Sequence, residues 1–113
     1  PGAFVSIVNY RTPALVVECL RSLAPQREAL GGGRVVVVDN ASGDGSFDTI
    51  RAAIEEHRWQ DWVELLASPT NGGFSAGNNR AIDRIRQFEP AFDTLVLLNP
   101  DTVVRPNALA ELL

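Results

Sequence analysis

Two carboxylates in this chain stand at the ends of runs of β-forming residues. Asp39 follows Val35-Val36-Val37-Val38 directly, and Asp101 follows Thr94-Leu95-Val96-Leu97-Leu98 by way of Asn99 and Pro100. A carboxylate at a strand tip can accept a hydrogen bond from a ribose hydroxyl or a pyrimidine N–H. It can also ligate a hard divalent cation, magnesium or manganese, of the kind shared with substrate phosphates. Such an ion neutralises a diphosphate leaving group as its charge develops. Asn99 can add an amide oxygen there. Plain structural roles are open to the same residues: Asp39-Asn40-Ala41-Ser42-Gly43 makes a good turn, and Asn99-Pro100 is a turn starter. A third cluster is Thr70-Asn71-Gly72-Gly73-Phe74, whose glycines permit positive φ or close approach of a ligand. Asn78 and Asn79 follow near the start of a helix whose amino end can face an anion. A strand-to-helix turn explains that stretch equally. The loops lack both G-x-G-x-x-G and G-x-x-x-x-G-K-[ST], so dinucleotide hydride chemistry and P-loop phosphoryl transfer are disfavoured.

These groups need elements that bring them together, and the hydrophobic pattern supplies them. Phe4-Val5-Ser6-Ile7-Val8 reads as a strand, ended by Asn9-Tyr10. Thr12 can cap a helix with Pro13 at its first position, and Leu15, Val16, Cys19, Leu20 and Leu23 recur along one face until Pro25 ends it. Gly31-Gly32-Gly33 is a flexible connection. The valine run has no polar alternation and suits a strand covered on both faces of a parallel sheet. Phe47, Ile50, Ile54 and His57 line a second helix, and Trp62-Val63-Glu64-Leu65-Leu66 is the third strand, with a mixed burial pattern. A third helix begins near Ser75, with Ile82, Ile85 and Phe88 as its apolar residues. Thr94 to Leu98 is the fourth strand, and Pro106 opens a fourth helix carrying Leu109, Leu112 and Leu113. Alternating strands and helices predict an α/β fold with a parallel sheet and right-handed crossovers. Ligands in such sheets bind beyond the carboxyl ends of the strands. Asn9, Tyr10 and Arg11, then Asp39, Asn40 and Asp44, then Ser68, Thr70 and Asn71, then Asn99 and Asp101 all fall at that end. The opposite connections, 25–33 and 88–93, carry no such cluster.

Composition bounds the rest. The chain has 113 residues, 45% hydrophobic and 21% charged, the balance of one ordinary globular domain. The formal net charge of −4 argues against a dedicated nucleic-acid binder. No apolar stretch approaches the ~20 residues of a membrane helix. One cysteine excludes an internal disulfide and a multi-cysteine metal site. With no leader-like opening segment, it suggests a reducing, cytosolic setting. His57, Cys19, Trp59 and Trp62 are read as boundary or packing residues. The chain opens at Pro1 and closes at Leu113 within an apolar helical pattern, and we expect it to be a piece of a longer protein.

Together the clusters resemble the nucleotide-binding half of inverting glycosyltransferases of family 2, which have the GT-A fold. The matching stretches are VSIVNYRT at 5–12, VVVVDNASGDGS at 35–46, NGGFSAGNNRAI at 71–82 and LVLLNPDTVV at 95–104, in the family's order and over essentially the whole chain. The resemblance implies a truncated, Rossmann-like three-layer α/β/α fold with a mainly parallel sheet. Residues 1–113 would then be the nucleotide-sugar-binding half, without the acceptor half. Asn9, Tyr10, Arg11 and Thr12 match the loop against the base, and Asp39 matches the acid that contacts base or ribose. Asn71, Gly73 and Asn79 belong to the stretch under the nucleotide and its phosphates. Asn99-Pro100-Asp101 matches the D-x-D-type element, with Asp101 as the ligand of a manganese or magnesium ion. Two positions depart from the family pattern: Asn78 stands where an arginine is common, and Asn99 replaces the first acid. The forms NASGDGS, GNNRAI and LLNPDT look most like the rhamnosyltransferase-like branch, which implies a dTDP-sugar donor ahead of a UDP-sugar. The implied partners are that donor and a glycan or lipid-linked acceptor in polysaccharide or cell-envelope glycan synthesis, on the cytoplasmic side of the cell membrane. The general base is expected beyond Leu113, since Asp44 and Asp93 have no positional support, and the piece alone is expected not to turn over. Exposed apolar surface makes self-association as a homodimer an expectation. A nucleotide-binding module without transferase activity is the alternative. A nucleotidyltransferase would need a glycine-rich loop after the first strand, and Asn9 to Pro13 has no glycine.

Overall fold

The computed structural model describes residues 2–92 and 94–113. Asp93 therefore lies outside the described residues. The elements alternate as the hydrophobic pattern requires: β1 (Phe4–Asn9), α1 (Pro13–Leu23), a 3-10 helix (Ala24–Leu30), β2 (Val35–Asp39), α2 (Ser46–Glu56), β3 (Val63–Ala67), α3 (Gly73–Phe88), β4 (Leu95–Leu98) and α4 (Ala108–Leu112). The strands form one sheet in the order β3-β2-β1-β4, and every pairing is parallel.

Every residue of β1 and β2 is buried, because these central strands are covered on both faces and the absence of polar alternation lets both faces pack. Alternate residues face opposite ways. Val5, Ile7, Val35 and Val37 pack with α1, α2, Leu30 and Leu109 in the larger core. Phe4, Val36 and Val38 pack with Ala81 and Ile85 of α3 in the smaller one. The crossovers β1–α1–β2 and β2–α2–β3 advance in one direction, whereas β3–α3–β4 turns back over the sheet. With a fixed crossover hand the reversal puts α3 on the other face.

Several local expectations shift. Pro25 does not end the helical path but opens the 3-10 helix, where its missing N–H costs nothing. Leu15 is exposed, so the buried stripe of α1 is Val16, Cys19, Leu20 and Leu23. Helix α3 starts at Gly73, before Ser75, and buries Gly77, Asn78, Ala81 and Ile85, while Phe88 is exposed. Small residues occupy this face because the helix rides close to the sheet: a Cβ at Gly77 would stand 2.7 Å from a Val8 methyl. Helix α4 begins at Ala108 rather than at Pro106, and only Leu109 of its leucines is buried. Strand β4 is less covered than its all-apolar sequence implied, with Leu97 50% exposed. At β3, Glu64 accepts a 2.6 Å ion-pair hydrogen bond from Arg84 of α3, which explains a charged residue in that strand. Trp59 and Trp62 are buried against each other and His57 stacks on Trp59, so all three are packing residues.

Substituting Gly77→Val should force α3 off the sheet. The expected cost is about 2 kcal/mol or more, a fall in Tm of about 10 °C in a thermal melt.

Candidate functional site

The carboxyl end of the sheet is built in register. Asn9 of β1 is level with Asp39 of β2, and Asp39 with Ala67 of β3. Asn9 and Asp39 are both buried, so their polar atoms require partners. Asn9 Nδ2 donates to Asp39 Oδ1 at 2.8 Å. Asn9 Oδ1 accepts from the Thr12 backbone N–H at 3.1 Å and the Thr12 hydroxyl at 2.9 Å, which ties the strand to the start of α1. Both ends of the Asn9 amide are therefore in use, and its contribution to the rim is to hold Asp39. Ser42 Oγ donates to the same Asp39 Oδ1 at 2.6 Å.

The loops on this side are set by the same groups. Arg11 has a left-handed backbone, φ 59, a conformation that non-glycine residues hold only when the surroundings fix it. Its N–H donates to Ser42 Oγ at 2.9 Å and its Nε to the Ser42 carbonyl at 3.1 Å. Its guanidinium lies 5.1 Å from the centre of the exposed Tyr10 ring. Asp44 accepts from the Ser46 hydroxyl at 2.5 Å and the Ser46 N–H at 2.9 Å, fastening the start of α2. These bonds hold its carboxyl below the ordinary 3.8, with Arg11 adding a smaller pull. A depressed carboxylate stabilises the fold above its unfolded value and loses that contribution as pH falls through the folded one. Asp44→Asn should therefore flatten the acid side of the stability profile, which urea unfolding at descending pH would register.

On the α3 face, Asn40 is buried beside the third cluster. Its Nδ2 donates to Asn71 Oδ1 at 2.9 Å and the Gly73 carbonyl at 3.0 Å, and the Gly73 N–H donates to the same Asn71 oxygen at 2.9 Å. Asn40 Oδ1 is buried with no partner. Asn71 itself is exposed, its oxygen committed to this turn. Asn78, at the position where the family pattern commonly has arginine, is buried. Its Oδ1 accepts from Ser6 Oγ at 2.6 Å and its Nδ2 donates to the Phe74 carbonyl at 3.1 Å. It serves the sheet–helix contact, while Asn79 is exposed.

Past β4 the chain turns back toward α1. The Thr102 N–H donates to the Asn99 carbonyl at 3.0 Å. The Val104 N–H donates to Ser22 Oγ at 2.9 Å, and Gln26 Nε2 donates to the Val104 and Arg105 carbonyls at 3.3 and 2.7 Å. Asn99 and Asp101 are both exposed. Asp101 lies close enough to α1 for its charge to act on Cys19, whose thiol is pushed up to about 11, by burial first and by Asp101 second. Asp39 ends β2, and Asp101 follows the end of β4 by three residues, both at the carboxyl end of the sheet. Their strands flank β1.

Among the described residues no group of three acidic, histidine or cysteine side chains converges on a metal. Asp101 and Asn99 supply one exposed carboxylate and one exposed amide, fewer oxygen donors than a protein-caged ion takes. The grooves elsewhere are of another kind. One of about 510 Å³ lies between α1 and α2, lined by Ala14, Val17, Ala52 and Ala53. One of about 300 Å³ lies between β3 and α3 beside Arg80 and Asp83.

The profile described as Glycosyl transferase family 2 matches residues 4–113. The chain belongs to that family. Solved glycosyltransferases share its fold. The mannosyltransferase PcManGT from Pyrobaculum calidifontis, in complex with GDP-Man and Mn2+, superposes with a TM-score of 0.77 at 26% identity, covering 97% of this chain and 30% of that one. TarS 1-349 of S. aureus gives 0.69 at 24%, covering 97% and 31%. Its complex with UDP-GlcNAc gives 0.68 at 23%, covering 97% and 30%. The family 2 chain thus spans under a third of the length of these structures. No curated protein sequence matches it. The parallel sheet and its flanking helices are those of a GT-A glycosyltransferase, and no helix among the described residues is long and apolar enough to cross a membrane.

Sequence reasoning missed the buried supports of this family 2 rim. Ser42 carried a signal, three residues after Asp39 in a turn, the spacing at which a hydroxyl folds back. Ser6 carried another, as the one hydroxyl in an apolar strand, which needs a partner once buried. The Gln26 clasp on the segment after β4 had none, since it joins residues far apart in sequence.

Proposed function

We propose that this chain is the nucleotide-sugar-binding half of a GT-A glycosyltransferase. That enzyme moves a sugar from a pyrimidine nucleoside diphosphate to an acceptor hydroxyl, with inversion. What supports this reading is a carboxylate at the end of β2, Asp39, and another three residues past the end of β4, Asp101, the two strands that flank β1. Asp39 Oδ1 is occupied by Asn9 and Ser42, and its other oxygen accepts the base N–H or a ribose hydroxyl. Tyr10 and Arg11 flank the base, and Gly73 with Asn79 lies under the diphosphate. Asp101, with Asn99, holds the divalent cation that arrives with the donor. When bound, that ion neutralises charge on the departing diphosphate. Direct displacement also requires a general base at the acceptor hydroxyl. Asp44 is unsuited: its carboxyl is tied to Ser46 and held low. The proposed base is an acid of the acceptor-facing part of the enzyme.

The forms NASGDGS, GNNRAI and LLNPDT favour a dTDP-sugar such as dTDP-rhamnose over a UDP-sugar, and glycan assembly at the cytoplasmic face of the membrane. Structural relatives in complex with GDP-Man and Mn2+ and with UDP-GlcNAc support a nucleotide-sugar donor, without distinguishing a purine from a pyrimidine. Calorimetric titration with dTDP, UDP and GDP, with and without Mn2+, tests the reading. Tighter binding of the pyrimidine diphosphates, strengthened by Mn2+, is expected. Preference for GDP, or indifference to the ion, would contradict it.

A further inference from the structure

Ser42 is only 1% exposed, and both its hydroxyl and its carbonyl are engaged. Its hydroxyl donates to Asp39 Oδ1 at 2.6 Å and accepts from the Arg11 backbone at 2.9 Å and from Asn9 Nδ2 at 3.4 Å, while its carbonyl accepts from Arg11 Nε. The residue before it, Ala41, has a left-handed backbone with φ 58, as Arg11 does. Two such conformations on facing loops, bridged by one hydroxyl, mark a place where the fold spends strain to fix geometry. Asp39 Oδ1 receives two donors, Ser42 and Asn9. A carboxylate oxygen has two lone pairs, so Oδ1 is filled. Two bonds on one oxygen hold the orientation of the carboxylate, and Oδ2 accepts no bond among the described residues.

We propose that Ser42 is the positioning residue for base recognition. By clamping Asp39 and seating Arg11 at the same time, it sets how strongly the protein distinguishes a base that carries an imide N–H from one that does not. This rests on the reading of Asp39 as the base-binding acid. Without the hydroxyl, Asp39 keeps Asn9 alone and turns among rotamers, and Arg11 loses the acceptor for its backbone N–H. The carboxylate's charge persists but its aim is lost. A loosened fold would weaken all nucleotides alike, whereas a lost aim weakens only the contact to the N–H.

The test is the ratio of affinities for UDP and for UDP methylated at N3 of the uracil, measured by calorimetry on the wild type, Ser42→Ala and Ser42→Cys. The cysteine variant keeps the side-chain volume with a weaker donor. Far-UV circular dichroism and a thermal melt identify the variants that keep the fold. In the wild type, loss of a hydrogen bond to a charged group predicts a ratio of about tenfold or more. In Ser42→Ala the ratio should fall toward one, and in Ser42→Cys to an intermediate value. The increment in affinity from uridine to UDP, which reports the diphosphate, should stay as in the wild type. A folded variant that keeps the wild-type ratio would overturn the role of Ser42 and leave Asp39 untouched. A wild-type ratio near one would instead overturn the reading of Asp39 as the base-binding acid, and the inference with it.

Discussion

Replacing Asp39 with asparagine is expected to weaken UDP or dTDP binding by about 100-fold while leaving the fold cooperative. A hydrogen bond to a charged group contributes about 1.5–3 kcal/mol, and each 1.4 kcal/mol is tenfold in affinity. Asparagine retains the volume and one oxygen for the Asn9 and Ser42 donors, so the buried supports stay largely satisfied. It loses the anionic oxygen left for the ligand. Alanine should cost binding as much, and stability as well. It strands the Asn9 amide and the Ser42 hydroxyl beneath the surface, at about 1–3 kcal/mol. The pair of variants separates recognition from folding. Calorimetry gives the affinity and urea unfolding gives the stability. Wild-type affinity in a folded Asp39→Asn protein would remove Asp39 from the donor site.

Replacing Asp101 with alanine should do the reverse. The side chain is exposed and makes no hydrogen bond among the described residues, so stability should move by no more than about 0.5 kcal/mol. Sugar transfer by a protein that also carries the acceptor-facing part should fall by about a thousandfold. Charge stabilisation of the leaving group is worth several kcal/mol, and each 1.36 kcal/mol is about tenfold in rate. The increase in UDP affinity caused by Mn2+ should vanish. A separate readout lies in Cys19, whose thiol is raised to about 11 partly by Asp101. Its pKa should drop in the variant, which thiol titration would detect. A variant that transfers sugar at the wild-type rate, or still responds to Mn2+, would place the ion elsewhere.

Much of this architecture was legible in the amino-acid order because the signals were local. Four valines in a row suit a strand covered on both faces, and that strand, β2, ends at Asp39 on the carboxyl rim. Parallel pairing places the tip after Leu98 on the same rim as Asp39. The face of α3 was legible in part. Of its apolar residues Ile82, Ile85 and Phe88, Ile85 is buried as expected, but the helix also approaches the sheet through Gly77 and Asn78, and Phe88 is exposed. Close approach selects for small size, and burial of Ser6 selects for an amide partner, neither of which hydrophobic periodicity registers. Asn9 shows the same limit. The residue belongs to the rim as expected, but only the three-dimensional packing reveals that its amide is consumed in holding Asp39 and Thr12. The strand-tip carboxylates could be read from sequence. The buried side chains that aim them could not, because they act across loops joined by long-range hydrogen bonds.

The central claim is that one rim of the sheet receives the base at Asp39 and the diphosphate with its ion at Asp101. A crystal structure of the protein with UDP and Mn2+ tests it most directly. The account predicts the uracil N3–H, or a ribose hydroxyl, within about 3 Å of Asp39 Oδ2, and the ion bound by Asp101 and the diphosphate. A nucleotide seated in the α1–α2 groove, or one whose base and ribose both lie away from Asp39, would contradict it.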